Sequence, residues 1–127
     1  VRQVIEKRAM IVAMEHYAGL GFTVEDVSAS QSYDLRCARG SSQTHVEVKG
    51  TRAGGSEVFL SPNEVEHALR QSCRIDLIIV SDIEVHHDDG TLRATGGTKR
   101  IIENWTPNKA DFQPLGFSYS VPPSEDS

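Results

Sequence analysis

The pattern of apolar and polar positions in the first half of the chain predicts one helix followed by three strands. Residues 1–18 are good helix formers without Gly or Pro, and the glycines at positions 19 and 21 supply a stop. Three strand-like runs follow at residues 22–27, 33–39 and 43–49. The last two flank the turn residues Gly40-Ser41-Ser42, so we expect them to form a β-hairpin.

The clearest local signal is the start of a second helix at Ser61. Ser61 suits an N-cap, Pro62 suits the first helical position, and Glu64 completes a capping box. The apolar face of this helix extends to about residue 72.

The second half of the chain begins with a strand signal at residues 75–85, a nearly continuous apolar run typical of a buried central strand. Residues 88–91 have turn chemistry, and further strands are predicted at 91–95 and 99–105, separated by two glycines. The order of elements predicts a mixed α/β domain with a hairpin in its sheet. We expect one domain over residues 1–121 and a frayed tail at 122–127.

Composition places the chain among soluble globular domains, with 38% hydrophobic and 24% charged residues. No apolar run approaches the ~20 residues of a membrane span, and no segment resembles a signal peptide. The two cysteines form no C-x-x-C motif, so a reduced, cytoplasmic setting is the default expectation. Because the chain starts at Val1 rather than Met, we expect it to be a piece of a longer protein.

The predicted hairpin gathers charged side chains at one end. Pairing Ala38 with Gln43 brings Asp34 opposite Glu47, and Lys49 lies two residues further along the same face. Two buried carboxylates are costly unless a cation neutralises them, and their hard oxygen ligands suit Mg²⁺ or Mn²⁺. The plainer alternative is a solvated strand face with Asp34 in a turn, and spacing alone favours that alternative.

The first helix carries an acid at Glu6, on the stripe that also contains Met10, Ala13 and Tyr17 and that should face the sheet. An acid there needs a partner or a function. It could also reach solvent from the first turn, where the helix dipole favours an acid. Both interpretations stay open.

Other candidate features have structural explanations. The adjacent histidines of "HHDDG" (86–90) point to opposite faces of a strand, so they do not readily share one metal ion. His45 shares a face with Glu47, but a solvated or hydrogen-bonded histidine is favoured there. The aromatic residues near the C-terminus follow no regular spacing, which favours a role in the core over base stacking; they are Trp105, Phe112, Phe117 and Tyr119.

The segments "GFTVEDVS", "SYDLRC", "THVEVKGT" and "FLSPNEVEHA" carry a resemblance to a known family. The chain resembles the PD-(D/E)XK nuclease superfamily, and more closely the domain found at the C-terminus of the plant protein NO VEIN and in many bacterial defence and helicase-linked proteins. The resemblance runs from about Glu6 to Val80. A tyrosine, Tyr33, stands where the superfamily often has a proline before Asp34.

The resemblance implies a restriction-endonuclease-like mixed sheet flanked by helices, with a metal-dependent phosphodiesterase site. Asp34 and Glu47 would hold the Mg²⁺ or Mn²⁺ ion, helped by the Val48 carbonyl. Lys49 would orient or deprotonate the attacking water and stabilise charge on the phosphate. Glu6 would be an accessory carboxylate. Asn63 and Glu64 fit loop and cap roles best, although the family pattern places both near the site.

The resulting expectation is a DNA endonuclease domain within a larger restriction or defence protein. Net charge is −5, so we expect affinity for DNA to come mainly from other domains of the parent protein. The alternatives are a catalytically inactive nuclease-like fold used for protein interaction or DNA positioning, and a structural domain with a chance acidic face. The oligomeric state is open, with a homodimer among the alternatives.

Overall fold

The structure, a computed structural model, describes residues 1–113, 115–116 and 119–124. Within these residues five strands form one sheet in the order β1-β2-β3-β4-β5. The strands are Thr23–Asp26 (β1), Leu35–Arg39 (β2), Ser42–Gly50 (β3), Arg74–Asp88 (β4) and Thr91–Ile102 (β5). The helices are Arg2–Gly19 (α1) and Pro62–Arg70 (α2), with a 3₁₀ turn at Lys109–Asp111. Strands β3 and β4 pair in parallel and the other neighbours are antiparallel, which confirms the predicted mixed α/β fold.

Helix α1 covers one face of this sheet. Ala9 and Ala13 are fully buried and pack in one cluster with Val46 and Val48 of β3. Tyr17 is also buried, and its hydroxyl donates a hydrogen bond of 2.8 Å to Asp76 on β4. Small residues on the helix let its axis come close to the sheet. The odd-numbered residues of β3, including Glu47, therefore lie on the opposite face, toward α2.

The β2–β3 hairpin has the predicted register. Ala38 pairs with Gln43, and the pairing continues to Leu35 opposite Val46. The backbone amide of Asp34 donates to the Val46 carbonyl at 3.1 Å, so the ladder extends beyond β2 toward the level of Glu47. The turn is one residue shorter than expected, because Ser42 already pairs with Arg39.

Helix α2 begins with the capping box that the sequence predicts. The Ser61 hydroxyl accepts from the Glu64 amide at 3.2 Å, and the Glu64 carboxylate accepts from the Ser61 amide at 2.8 Å. The helix ends at Arg70, two residues before the expected end. Gln71 adopts a left-handed conformation with φ of 52°, which terminates the helix.

The structure corrects the prediction of two separate strands at 91–95 and 99–105. Strand β5 is continuous from Thr91 to Ile102. Gly96 and Gly97 have φ of 72° and 106°, so the strand bends at these residues and continues to pair with β4 on both sides. A Cβ atom at Gly97 would lie 2.6 Å from Val80 Cγ1, which explains the glycine there.

The C-terminal region differs from the expectation of an aromatic core. Tyr119 is 78% exposed, while Trp105 and Phe112 are only partly buried, and Phe117 lies outside the described residues. The predicted tail at 122–127 stays a prediction, since residues 125–127 also lie outside the described part. No helix among the described residues is long and apolar enough to cross a membrane.

Gly50→Ala should destabilise the domain by about 1–3 kcal/mol, because α1 crosses directly over the end of β3. A Cβ atom at Gly50 would lie 2.7 Å from Ala9 Cβ and 3.1 Å from the Ile5 carbonyl oxygen. Urea unfolding measures the change. Gly54→Ala is the matched control, since no heavy atom of the described residues lies within 4 Å of its added Cβ. Equal stability of the two variants would contradict this packing argument.

Candidate metal centre

Three carboxylates from three separate segments meet where β3 ends and α2 begins. They belong to Asp34, Glu47 and Glu64, and each offers a ligand atom within 4.8 Å of the others. Asp34 precedes β2, Glu47 lies on β3, and Glu64 lies in the first turn of α2. The structure thus brings together two of the predicted metal ligands and adds a third carboxylate.

Asp34 is held in place by the β3 backbone. Its Oδ2 atom accepts a hydrogen bond of 2.8 Å from the Val48 amide. Burial raises the pKa of Asp34 above its ordinary value, while the Val48 hydrogen bond and the Lys49 charge act in the opposite direction. Val48 was predicted to contribute its carbonyl to a metal ion; its amide fixes one of the carboxylates, and the role of the carbonyl stays a prediction.

Glu47 is the most deeply buried member of the cluster, with 3% of its surface exposed. Its Oε1 atom is buried and has no hydrogen-bond partner among the described residues. Burial is the largest cause that raises the pKa of Glu47, followed by the neighbouring carboxyl groups of Glu64 and Asp34. Without a cation in the cluster, Glu47 therefore retains a proton, which it can share with a neighbouring carboxyl.

Lys49 supplies the positive charge next to these acids. Its Nζ atom lies 2.8 Å from Glu64 Oε2 and 3.9 Å from Glu47 Oε1. Although burial acts in the opposite direction, hydrogen bonds from the Glu47 carboxyl, Lys49 and the Ser61 amide lower the pKa of Glu64. The predicted proximity of Lys49 to both strand carboxylates fits this arrangement: the lysine lies at the edge of the cluster.

A cleft of about 1220 Å³ opens beside the cluster. Asp34, Lys49 and Glu64 line it, and so does Glu6 from α1. The Glu6 carboxylate, however, is 58% exposed and pairs with Arg2 at 3.0 Å, outside the three-carboxylate cluster. Glu6 thus lines the same cleft as Asp34 and Lys49, and its accessory role stays a prediction.

Glu64 was predicted mainly as a capping residue of α2, and the structure places it in the cluster as well. Its two oxygen atoms have separate tasks: Oε1 accepts from the Ser61 amide, and Oε2 accepts from the Lys49 ammonium. The same carboxylate thus starts the helix and completes the cluster. The capping-box pattern revealed only the first task, because the second depends on how α2 packs against β3.

An aromatic stack beside the cluster also escaped sequence reasoning. The ring of Tyr33 stacks on His45 with centroids 3.8 Å apart and on His67 with centroids 4.6 Å apart. The two histidines approach each other at 3.1 Å between His45 Nδ1 and His67 Nε2. Burial lowers the pKa of both histidines, so the pair is neutral at neutral pH. The sequence spacing could have indicated this pair. His45 lies two residues before Glu47 on β3, and His67 lies three residues after Glu64 on α2, so each histidine shares a face with an acid of the cluster.

The cluster has the chemistry of a divalent-cation site. All three ligand groups are carboxylates, whose hard oxygen atoms suit Mg²⁺ and Mn²⁺. The buried Oε1 atom of Glu47 accepts no hydrogen bond from the described residues, since the Lys49 ammonium is 3.9 Å away, and such an unsatisfied acceptor is costly in a purely structural cluster. A cation between the carboxylates would remove both the mutual repulsion and the unsatisfied acceptor. The residues present therefore fit such an ion.

Glu47→Gln should stabilise the metal-free domain by about 1–3 kcal/mol at pH 7.5. The ordinary pKa of 4.5 applies in the unfolded chain, and the folded pKa is raised. Above pH 4.5 the unfolded chain ionises Glu47 while the folded chain retains the proton, so unfolding becomes easier as pH rises. Urea unfolding in EDTA from pH 4 to 8 measures the free energy of unfolding of the Glu47→Gln variant and of the unaltered chain. The difference between the two should vanish near pH 4.

The matched control for this prediction is Glu84→Gln, because the Glu84 side chain is 72% exposed on β4. That substitution should change stability little at any pH in the series. A Glu47→Gln domain that is less stable than the unaltered chain at pH 7.5 would contradict the proposed protonation.

Comparison with known proteins gives one family. A family model described as "Protein NO VEIN, C-terminal" matches residues 5–95, which is more than half of the chain. The match includes every residue of the three-carboxylate cluster together with Lys49. No curated protein and no solved structure shows significant similarity to the chain.

Proposed function

Because the chain belongs to the NO VEIN C-terminal family, and because three carboxylates and a lysine meet beside one cleft, we propose that it is a metal-dependent nuclease domain. The proposed reaction is hydrolysis of phosphodiester bonds in DNA with Mg²⁺ or Mn²⁺. The arrangement resembles the PD-(D/E)XK pattern, with Asp34, Glu47 and Lys49 in the positions of its motif.

The strongest support for the proposal is the burial of the Glu47 carboxyl group, which leaves one of its oxygen atoms without a hydrogen bond from the described residues. A carboxyl group that is 3% exposed, next to two other acids and with one oxygen that accepts no hydrogen bond from the described residues, costs stability in the absence of a function. Structural acids in cores normally have donors for each buried oxygen. The cost is explained if this oxygen, with those of Asp34 and Glu64, is a ligand.

Asp34 and Glu47 would hold the ion, and Glu64 is the third candidate ligand. When bound, the ion would supply Lewis-acid polarisation of a phosphate oxygen and would lower the pKa of a water molecule. The Val48 amide would keep the Asp34 carboxylate oriented, through the hydrogen bond that it already donates. Glu47 would release its proton to the surrounding solvent as it takes up the ligand role.

Lys49 would act on the substrate from the edge of the cluster. An ammonium group in a partly buried site stabilises negative charge that grows on a phosphate oxygen in the transition state. Its side chain is 20% exposed and lines the cleft, so it is accessible to a substrate and shielded from bulk solvent. Its ion pair with Glu64, at 2.8 Å, would hold the ammonium beside the cluster, where it could also contact the phosphate.

The charge of the chain bears on its partners. The net charge of −5 opposes strong binding to DNA, although Arg2, Lys49 and Arg52 line the cleft. We propose that the nuclease domain functions within a larger restriction or defence protein whose other parts supply most of the affinity. In isolation its binding to DNA should be weak and should disappear at moderate salt.

The direct test is cleavage of a supercoiled plasmid by the 127-residue chain at low salt and high protein concentration, with Mn²⁺, Mg²⁺ or EDTA. The proposal predicts nicked or linear products with either metal and none with EDTA. Products that persist in EDTA, or that persist equally in Glu47→Gln, would refute the proposed chemistry. If Mn²⁺ binds at the cluster while DNA is bound and never cut, the inactive DNA-positioning alternative takes its place.

A further inference from the structure

A second cavity, of about 470 Å³, lies between β2, β3 and α2. Its lining includes Arg36 and Arg70, the Tyr33–His45–His67 stack, and neutral Ser and Gln side chains. No carboxylate lines it among the described residues, although the chain has 18 acidic and 13 basic residues. In an acidic protein this cavity is a local cationic site, which favours an anionic ligand.

The position of the cavity relative to the acidic cluster follows from the way α2 lies along β3. Lys49 pairs with Glu64, and His45 pairs with His67, so the two elements run in opposite directions. The helix rises ~1.5 Å per residue, which places Arg70 about 9 Å along the axis from Glu64. The cationic cavity and the acidic cluster are therefore neighbours on one continuous face.

The two arginines differ in how they are held. The Arg36 Nε atom donates to the Tyr33 hydroxyl at 3.2 Å, which orients its guanidinium, and Arg36 Nη1 also pairs with the exposed Glu25 at 3.2 Å. An exposed ion pair of this kind is weak, so a phosphate could compete for Arg36. Arg70 is exposed, and its side chain forms no ion pair or hydrogen bond with the rest of the described chain. The planar, multiply donating guanidinium group is well suited to phosphate oxygens.

The wall of the cavity is preformed. Tyr33 and His67 are 5% and 7% exposed, and their rings are nearly parallel, with an interplanar angle of 16°. Since both rings are buried, they offer no open face for a nucleobase to stack on. The lining therefore favours a phosphate group over a base as the occupant.

We propose that this cavity binds a backbone phosphate of the substrate strand, next to the phosphodiester that lies at the acidic cluster. The inference rests on the proposed nuclease function and adds a binding site for the flanking nucleotide. Arg70 and Arg36 contact the phosphate, and the neutral Ser and Gln side chains can donate further hydrogen bonds. The site orients the strand and does not take part in the chemistry.

Arg70→Gln tests the inference through DNA binding without cleavage. Fluorescence anisotropy of a labelled duplex in EDTA, over a series of salt concentrations, gives both the affinity and its salt dependence. We expect Arg70→Gln to weaken binding roughly fivefold or more and to reduce the salt slope by about 1. Arg93→Gln removes the same charge from β5, outside both cavities, and should change both values much less. Thermal unfolding of both variants confirms that they fold.

The outcomes separate this inference from the proposed function. If the unaltered chain binds and cuts DNA while Arg70→Gln matches Arg93→Gln, the phosphate site is refuted and the nuclease function stands. If the unaltered chain neither binds nor cuts DNA, both proposals fail. If inorganic phosphate shifts the NMR signals of His45 and His67 while Arg70→Gln leaves DNA affinity unchanged, the cavity binds free phosphate and the strand-binding proposal is overturned.

Discussion

Lys49→Met is expected to reduce plasmid cleavage by about 100-fold or more while leaving Mn²⁺ binding nearly unchanged. Methionine keeps most of the length of the aliphatic side chain and removes the ammonium group that lies 2.8 Å from Glu64. The variant therefore loses the charge that stabilises the phosphate in the transition state and retains all three carboxylates. Quantified cleavage under single-turnover conditions measures the rate, and calorimetric titration measures binding of Mn²⁺.

Lys7→Met is the control for this substitution, because Lys7 is exposed on α1 and lines neither cavity. The Lys7→Met variant should cleave the plasmid at a rate within a factor of about two of that of the unaltered chain. A Lys49→Met variant that still cuts at the original rate would show that the lysine only balances the charge of the cluster. If Lys49→Met folds but no longer binds Mn²⁺, Lys49 is instead needed to hold the carboxylates in place.

Asp34→Asn should abolish measurable Mn²⁺ binding and, with it, cleavage. Asparagine keeps an oxygen that can accept from the Val48 amide, which Asp34 now accepts at 2.8 Å, so the local backbone should stay in place. The substitution removes a charged ligand from a cluster of three, and hard divalent cations depend on carboxylate charge for affinity. Calorimetric titration with Mn²⁺ measures the loss, and circular dichroism confirms the fold.

The matched control is Asp26→Asn at the end of β1. Asp26 also accepts from a backbone amide, that of Ser28 at 3.0 Å, and it lies outside the cluster. It should bind Mn²⁺ as the unaltered chain does. Retention of Mn²⁺ binding in Asp34→Asn would mean that the ion binds elsewhere or that Asp34 is not a ligand.

The features that sequence predicted correctly are those with short-range causes. The capping box depends on Ser61 and Glu64 alone, and the tight turn after β4 depends on Asp89 and Gly90, both with positive φ. The hairpin register followed from the alternation of β2 and β3 around Gly40. Each of these involves residues within one turn or one pair of adjacent strands, where local geometry leaves few alternatives.

The features that escaped prediction depend on packing between distant segments. The double role of Glu64 and the histidine pair require the position of α2 over β3, which no local pattern specifies. The continuity of β5 through Gly96 and Gly97 depends on the close approach of Val80 from β4. Asp34 and Glu47 could be predicted to lie together because both belong to one hairpin. Glu64 lies on α2, so the sequence indicated it only as a secondary candidate.

Locating the ion itself shows whether Asp34, Glu47 and Glu64 form a divalent-cation site. Anomalous scattering from crystals of the chain grown with Mn²⁺ gives its position. We expect an anomalous peak between the three carboxylates, about 2.0–2.3 Å from oxygen atoms of Asp34 and Glu47. Crystals that contain Mn²⁺ only at other positions, with no ion at the Glu47 carboxylate, would contradict this assignment.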